Sequence, residues 1–140
     1  VGGDSKTAER AGKIAADIGM GFQILDDVQN LTTGNPGKSR GDDIVENKKS
    51  LPLLLHLKEF PEQKEKIVEL MKIAAKDGIK SPAVEECIAV LHSGGQIQKA
   101  FEHGLELIKT KTAQLSDLYS SGTGSEDIPR LFASMVPSLK

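Results

Sequence analysis

The chain has a single cysteine and no apolar run near the roughly 18 residues that a membrane span needs. With no second thiol to pair with, Cys87 can found neither a disulfide framework nor a zinc cluster, and its setting in E-E-C-I-A-V-L is that of a plain core residue. The three histidines, His56, His92 and His103, are too scattered to form a ligand set and are expected at the surface or half-buried. No basic-then-apolar segment marks a secretory signal at the start, so the cytoplasm is the expected location. Nor is there an excess of one charge: 18 Lys and Arg stand against 20 Asp and Glu, a net −2 that gives nucleic acid no obvious footing. What remains, 38% hydrophobic and 27% charged residues in 140, is the composition of one globular domain able to bury about two-thirds of its unfolded surface. The chain opens on V-G-G-D rather than on methionine, as though cut from something longer or trimmed at its start.

Period-two alternation is also missing, and the dominant period is 3.6, so the expected fold is all-α. A first long helix is expected over Ser5 to Leu31, with Ala11, Ile14, Ile18, Leu25 and Val28 on one side, ending where T-T-G-N-P-G begins. The loop runs on through K-S-R-G-D-D, and a second helix starts near Ser50 with Pro52 in an early position. A third covers about Pro61 to Asp77, with Gly78 as its stop. A fourth opens on Ser81 as N-cap and runs to the Gly94-Gly95 break. A fifth, about Gly95 to Tyr119, carries the stripe Ile97, Phe101, Leu105, Ile108, Leu115 and Leu118. A last short helix, about Ser125 to Val136, turns Ile128, Leu131, Phe132 and Met135 toward the rest.

Within the first helix, G-F-Q-I-L-D-D-V-Q-N puts Asp26 and Asp27 side by side in an otherwise amphipathic stretch. A charge facing an apolar core costs several kcal/mol unless it is paired, hydrogen-bonded or metal-bound, so this pair calls for a partner. At 100° per residue Phe22, Asp26, Asn30, Gln23 and Asp27 share about 140° of arc, with Gly19 on the same arc leaving open space beneath. Carboxylates beside an amide oxygen suit a hard cation such as Mg²⁺, which keeps several waters and binds through one or two carboxylates and a substrate phosphate. The alternative is a solvated helix edge; against it stand the flanking Phe22, Leu25 and Val28 and the unfavourable field for acids at a helix C-terminus. The following loop supplies Gly37, Lys38, Arg40, Gly41, Lys48 and Lys49, cations and flexible backbone of the kind a metal-held phosphate needs. Asp42, Asp43 and Glu46 could equally pair with those lysines in an ordinary surface network.

Gly19, Phe22, Gln23, Asp26, Asp27 and Asn30, then Gly37, Lys38, Gly41, Asp43, Glu46, Lys48, Ser50 and Pro52, resemble in identity and spacing a two-part pattern of the trans-prenyl diphosphate synthases. In that family a helix carries G-x-x-F-Q-x-x-D-D-x-x-D and a loop then reads G-K-x-x-G-x-D-x-x-E-G-K-x-[ST]-x-P. Two positions depart: Asn30 stands for the third aspartate and Asn47 for a glycine. Asn keeps one oxygen but loses a charge, so a cation would be held somewhat less tightly. The later G-G-Q-I-Q-K-A and the long helix after it also look like the family's distal helices.

The resemblance implies the C-terminal helices of an isoprenoid-synthase-type bundle and a chemistry in which an allylic diphosphate ionises on Mg²⁺ and is attacked by isopentenyl diphosphate. It implies Asp26 as direct Mg²⁺ ligand, with Asp27 and Asn30 acting through waters. It gives Lys38 and Lys48 the allylic diphosphate, Gln23 the allylic cation, Phe22 the isopentenyl group, and Gly19 room for the growing chain. A homodimer is the expected assembly. The family also needs an earlier D-D-x-x-D helix, which residues 1–140 lack. The expectation is therefore a single helical domain forming the C-terminal part of a synthase and inactive as it stands. The alternative is a non-catalytic partner subunit of a heteromeric synthase. Product chain length, set in the family near the absent motif, is not legible.

Overall fold

The computed structural model describes residues 4–120 and 125–136. Among these there are seven α-helices and no strand, so the all-α expectation holds. The helices are α1 (Ser5–Leu31), α2 (Asp42–Val45), α3 (Leu51–Glu59), α4 (Lys64–Asp77), α5 (Pro82–Ser93), α6 (Gln96–Leu118) and α7 (Asp127–Ser134), with a 3₁₀ turn at Pro61–Gln63 before α4. They form two compact units. Among the described residues, the first takes those up to Leu25 and those from Glu102 to Val136, and the second runs from Asp26 to Phe101.

Local chemistry sets the ends of the helices. Asp4 caps α1: its carboxylate accepts from Thr7 N at 2.8 Å, and this hydrogen bond holds its pKa below the ordinary aspartate value. At the far end Gly34 N donates to the Gln29 carbonyl at 2.8 Å, turning the chain out of α1. Gly78, in the left-handed region at φ +82, stops α4. Ser81 begins α5, its hydroxyl accepting from Ala83 N at 3.3 Å with Pro82 behind it.

In the first unit α1 and α6 meet through glycine. A Cβ on Gly104 would stand 2.9 Å from Leu25 Cδ2 and 3.2 Å from the Gly21 carbonyl, and one on Gly21 would stand 2.6 Å from Ile108 Cγ1. Hydrogen in place of two methyl groups is what lets the backbones approach. Around the crossing Ile14, Ile18, Ile24 and Leu25 of α1 are buried, as is Ile108 of α6. Lys111 pairs with Asp17 at 2.8 Å at its edge. Phe22 and Phe132 lie tilted with ring centroids 6.2 Å apart. Leu131 and Met135 of α7, expected to turn inward, are 60% and 56% exposed. A helix of eight residues can turn only one stripe inward, and in α7 that stripe carries Phe132, which lies against Phe22 and shares a cavity lining with α6.

The core of the second unit is built by α4 and α5. Ile67, Leu70, Met71 and Ala74 of α4 and Val84, Ile88 and Leu91 of α5 are buried together with Cys87, whose thiol pKa is pushed up to about 11 by desolvation. That value suits an inert core thiol. His56 corrects the expectation of a surface or half-buried histidine, because it is fully buried. In L-P-L-L-L-H-L it shares the inner face of α3 with Pro52 and Leu53, at i, i+1 and i+4. Its Nε2 lies 3.0 Å from Gln63 Oε1, and its ring lies 4.9 Å from that of Phe60. A Cβ on Gly94 would press to 2.6 Å from its Nδ1.

The α1–α6 crossing gives a direct test. Gly104→Ala puts a methyl group against a backbone carbonyl that has no rotamer to escape into, and overpacking of this kind costs about 1–3 kcal/mol. The urea midpoint should fall with an unchanged slope. A variant as stable as the parent would mean that the helices are not held this close.

Candidate functional site

The acid pair at the end of α1 is split between two environments. Neighbouring residues on a helix point 100° apart, so Asp27 can turn inward while Asp26 stays exposed. Asp27 turns inward and is buried. Its Oδ1 lies 2.7 Å from Lys48 Nζ, and its Oδ2 accepts from Leu51 N at the start of α3 at 3.4 Å. Asp26 is exposed, its Oδ1 accepting from Asn35 Nδ2 at 2.5 Å.

Lys48 also reaches Asp43 Oδ2 at 3.1 Å, so one ammonium stands between two buried carboxylates. Burial pushes the Asp43 pKa up, against the Lys48 hydrogen bond and charge. Burial works against the charge of Lys48 too, but the hydrogen bonds to Asp27 and Asp43 outweigh it, and the net shift is upward. The lysine is therefore fixed as a cation throughout the physiological range.

Backbone geometry brings Lys48 back to this position. Gly41 N donates to the Asn30 carbonyl at 2.9 Å, and Asp43 N donates to Asn30 Oδ1 at 3.1 Å, so Asn30 grips the loop where α2 begins. Asn30 is fully buried, and its Nδ2 has no hydrogen-bond partner. Gly41 sits at φ +87, and a Cβ there would stand 2.4 Å from Val84 Cγ1. After α2, Asn47 takes the left-handed conformation at φ +54, which lets Lys48 N donate to the Asp43 carbonyl at 2.9 Å. A family glycine at this position is thus explained by the backbone, and asparagine is the side chain that tolerates the region best.

Lys38 is exposed on the same loop, 4.0 Å from Glu46, a distance at which the pair holds weakly. Arg40 is bound bidentately by Glu85 of α5. Phe22 and Gln23 belong to the first unit, Phe22 half-buried against Phe132 and Gln23 exposed. A Cβ on Gly19 would meet nothing within 4 Å.

The second unit therefore assembles Asp26, Asp27, Asn30, Asp43 and Lys48 in one place, with Asp26 facing outward. The sequence offered Asp43 as an ion-pair partner for the loop lysines, which it is for Lys48, though buried rather than at the surface, and nothing in the sequence marked Asn35 as the neighbour of Asp26. No cluster of three or more His, Cys, Asp or Glu able to hold a metal stands among the described residues. Of the two adjacent carboxylates, only that of Asp26 is open to solvent, with Asn35 as its hydrogen-bond donor.

Two stability measurements probe this arrangement. Lys48→Met removes the cation that two buried carboxylates share and should cost about 3–5 kcal/mol at neutral pH. The folded pKa of Asp43 is already raised and rises further without the cation. The protonated form is then the favoured one, so the variant should regain stability as pH falls through the carboxylate range and lose it again as pH rises. A deficit independent of pH would show that the lysine acts through packing alone. Asn47→Gly should be neutral or slightly stabilising and Asn47→Val should cost about 1–3 kcal/mol, read by thermal unfolding, since a β-branched residue resists positive φ.

The polyprenyl synthetase family model matches residues 1–91. The chain is 32% identical over 120 residues to the geranylfarnesyl diphosphate synthase of Natronomonas pharaonis, covering 84% of this chain and 33% of that protein. It is 26% identical to the chloroplastic solanesyl diphosphate synthase 2 of Arabidopsis thaliana, covering 85% of this chain and 27% of that one. With the octaprenyl diphosphate synthase of Haemophilus influenzae it shares 30% identity over 91 residues. The chain thus spans a third or less of the length of these relatives. No solved structure matches it significantly. A family model covering most of the helices, with matched relatives that are prenyl diphosphate synthases, places the chain in the polyprenyl synthetase family.

Proposed function

We propose that this chain is the diphosphate-binding portion of a Mg²⁺-dependent prenyltransferase that joins isopentenyl diphosphate to an allylic diphosphate. The observation that carries this reading is the Lys48 ammonium fixed between Asp27 and Asp43 beside the outward carboxylate of Asp26. Asp26 would hold the cation. When bound, Mg²⁺ would neutralise charge that develops on the departing diphosphate. The chain's own part is preorganisation. Lys48 is held in place as a cation before substrate arrives, so no reorganisation is needed as the leaving group takes up charge. Lys38, exposed on a glycine-bearing loop, is free to swing to the diphosphate. By the family resemblance, Gln23 turns its amide oxygen toward the allylic cation and Phe22 packs by the isopentenyl group. Asp27 and Asn30 act on the metal site indirectly, Asp27 by fixing Lys48 and Asn30 by gripping the loop. The opposing aspartate-rich helix would come from outside these 140 residues, so this chain alone should not turn over. A cytoplasmic homodimer belongs to the same reading. Among the described residues no helix is long and apolar enough to cross a membrane.

Joined to its aspartate-rich counterpart and given both diphosphates with Mg²⁺, the protein should form an elongated prenyl product that chromatography separates. Asp26→Ala should lower kcat/KM by on the order of a hundredfold or more, the scale of losing one preorganised charge-stabilising contact. No elongation under conditions where a control synthase works would overturn the reading. Tolerance of Asp26→Ala would remove that residue from the metal.

A further inference from the structure

The second unit has a groove of about 550 Å³ between α3 and α4, to which the loop after the acid pair contributes Asn47 and Lys49 but neither Asp26, Asp27 nor Lys48. Its floor and walls are Leu53, Leu54, Leu57, Ile67, Val68 and Met71. Leu54 and Val68 are 48% and 39% exposed, so apolar surface lies open to water here. Every charged side chain lining the groove is a cation: Lys49, Lys64 and Lys72. This in a chain of net −2 is a local reversal of sign. Among the described residues neither Lys49 nor Lys64 has a carboxylate within 4.0 Å, and Lys72 has Glu69 at 3.9 Å with both side chains largely exposed.

Size decides what kind of occupant fits. From Lys64 to Lys72 the groove follows about two turns of α4, roughly 12 Å. A stable protein partner needs about 800 Å² on each side, more than two turns of groove provide, whereas the volume lies in the range of small-molecule clefts. A membrane surface would not fill a concave site. We propose that the groove binds a free single-chain amphiphile whose hydrocarbon lies along the floor and whose phosphate head is met by the rim lysines. Lys49 lines the groove while the neighbouring Lys48 points to Asp27 and Asp43, so the two lysines serve different sites.

The test titrates dodecyl phosphate, below its micellar concentration, into the full chain and follows methyl groups by NMR. Saturable shifts are expected at Leu53, Leu54, Leu57 and Val68. Dodecanol and dodecyltrimethylammonium should bind at least tenfold more weakly, because each lacks the anionic head. Val68→Glu, and separately Lys64→Glu with Lys72→Glu, change exposed positions and should each weaken binding about tenfold or more while leaving the helical circular dichroism intact. Asp26→Ala should not alter the affinity, which keeps this result independent of the prenyltransferase reading. Equal binding of dodecanol, shifts confined to other methyl groups, or unaltered binding after Val68→Glu would overturn the proposal. So would binding to anionic vesicles with none to the monomer. Concentration-dependent shifts of the same methyl groups without amphiphile would overturn it as well, by assigning the groove to a second copy of the chain.

Discussion

The second unit depends on one ammonium group. Asp27 lies near the C-terminal end of α1, Asp43 lies in α2, and both carboxylates are buried. Each would cost several kcal/mol unpaired, and Lys48 answers both at 2.7 and 3.1 Å. The same carboxylate of Asp27 accepts from the first backbone amide of α3. A single cation therefore ties α1 to α2, and through Asp27 the start of α3 is held to the same point. The loop that carries it must return to α1, which is why its backbone has positive φ at Gly41 and Asn47. Geometry that would be strained in most sequences is held here by electrostatics.

The consequence for chemistry is a division of labour within the acid pair. One carboxylate is used internally, and the other faces outward with Asn35 as its hydrogen-bond donor. Asp27 and Asp43 share the Lys48 ammonium, and Lys38 adds a more distant positive charge that acts on Asp43. Lys38 and Arg40 differ in the same way: the arginine is engaged by Glu85, while Lys38 has only a distant carboxylate. Their charges are alike in the sequence, and only packing separates them.

Most of the fold was legible because the apolar period and the caps agree with each other. Ser81, Gly78 and the T-T-G-N-P-G break set boundaries by local chemistry, and the observed helices end there. The misses share a cause, which is dependence on distant contacts. The single turn α2 has no amphipathic signal and exists because Asn30 receives its amides. His56 is buried because the Gly94 corner leaves room for its ring, a fact no window of sequence contains. Leu131 and Met135 looked like core residues by spacing, yet periodicity says only which side a residue takes and not whether a neighbour covers that side. In the loop, residue types and spacing showed that lysines and carboxylates lie close together, but not that Lys48 would be shared between Asp27 and Asp43.

The two departures from the family pattern then have opposite physical characters. Asn47 replaces a glycine where the backbone needs positive φ, and of the side chains that carry a Cβ, asparagine gives up least. Asn30 replaces an aspartate at a fully buried position beside Asp27 and Asp43. Its Oδ1 still accepts from the Asp43 amide, so the grip on the loop survives the exchange. A carboxylate there would add a third buried negative charge beside Asp27 and Asp43, which would raise the pKa of Asp43 further. The amide avoids that charge, at the cost of a buried Nδ2 with no partner. On this accounting Asn30 is a substitution that keeps the loop and lightens the electrostatic load. A motif weakened in charge can therefore leave its scaffold intact, and the outward Asp26 keeps the position from which it would meet a cation.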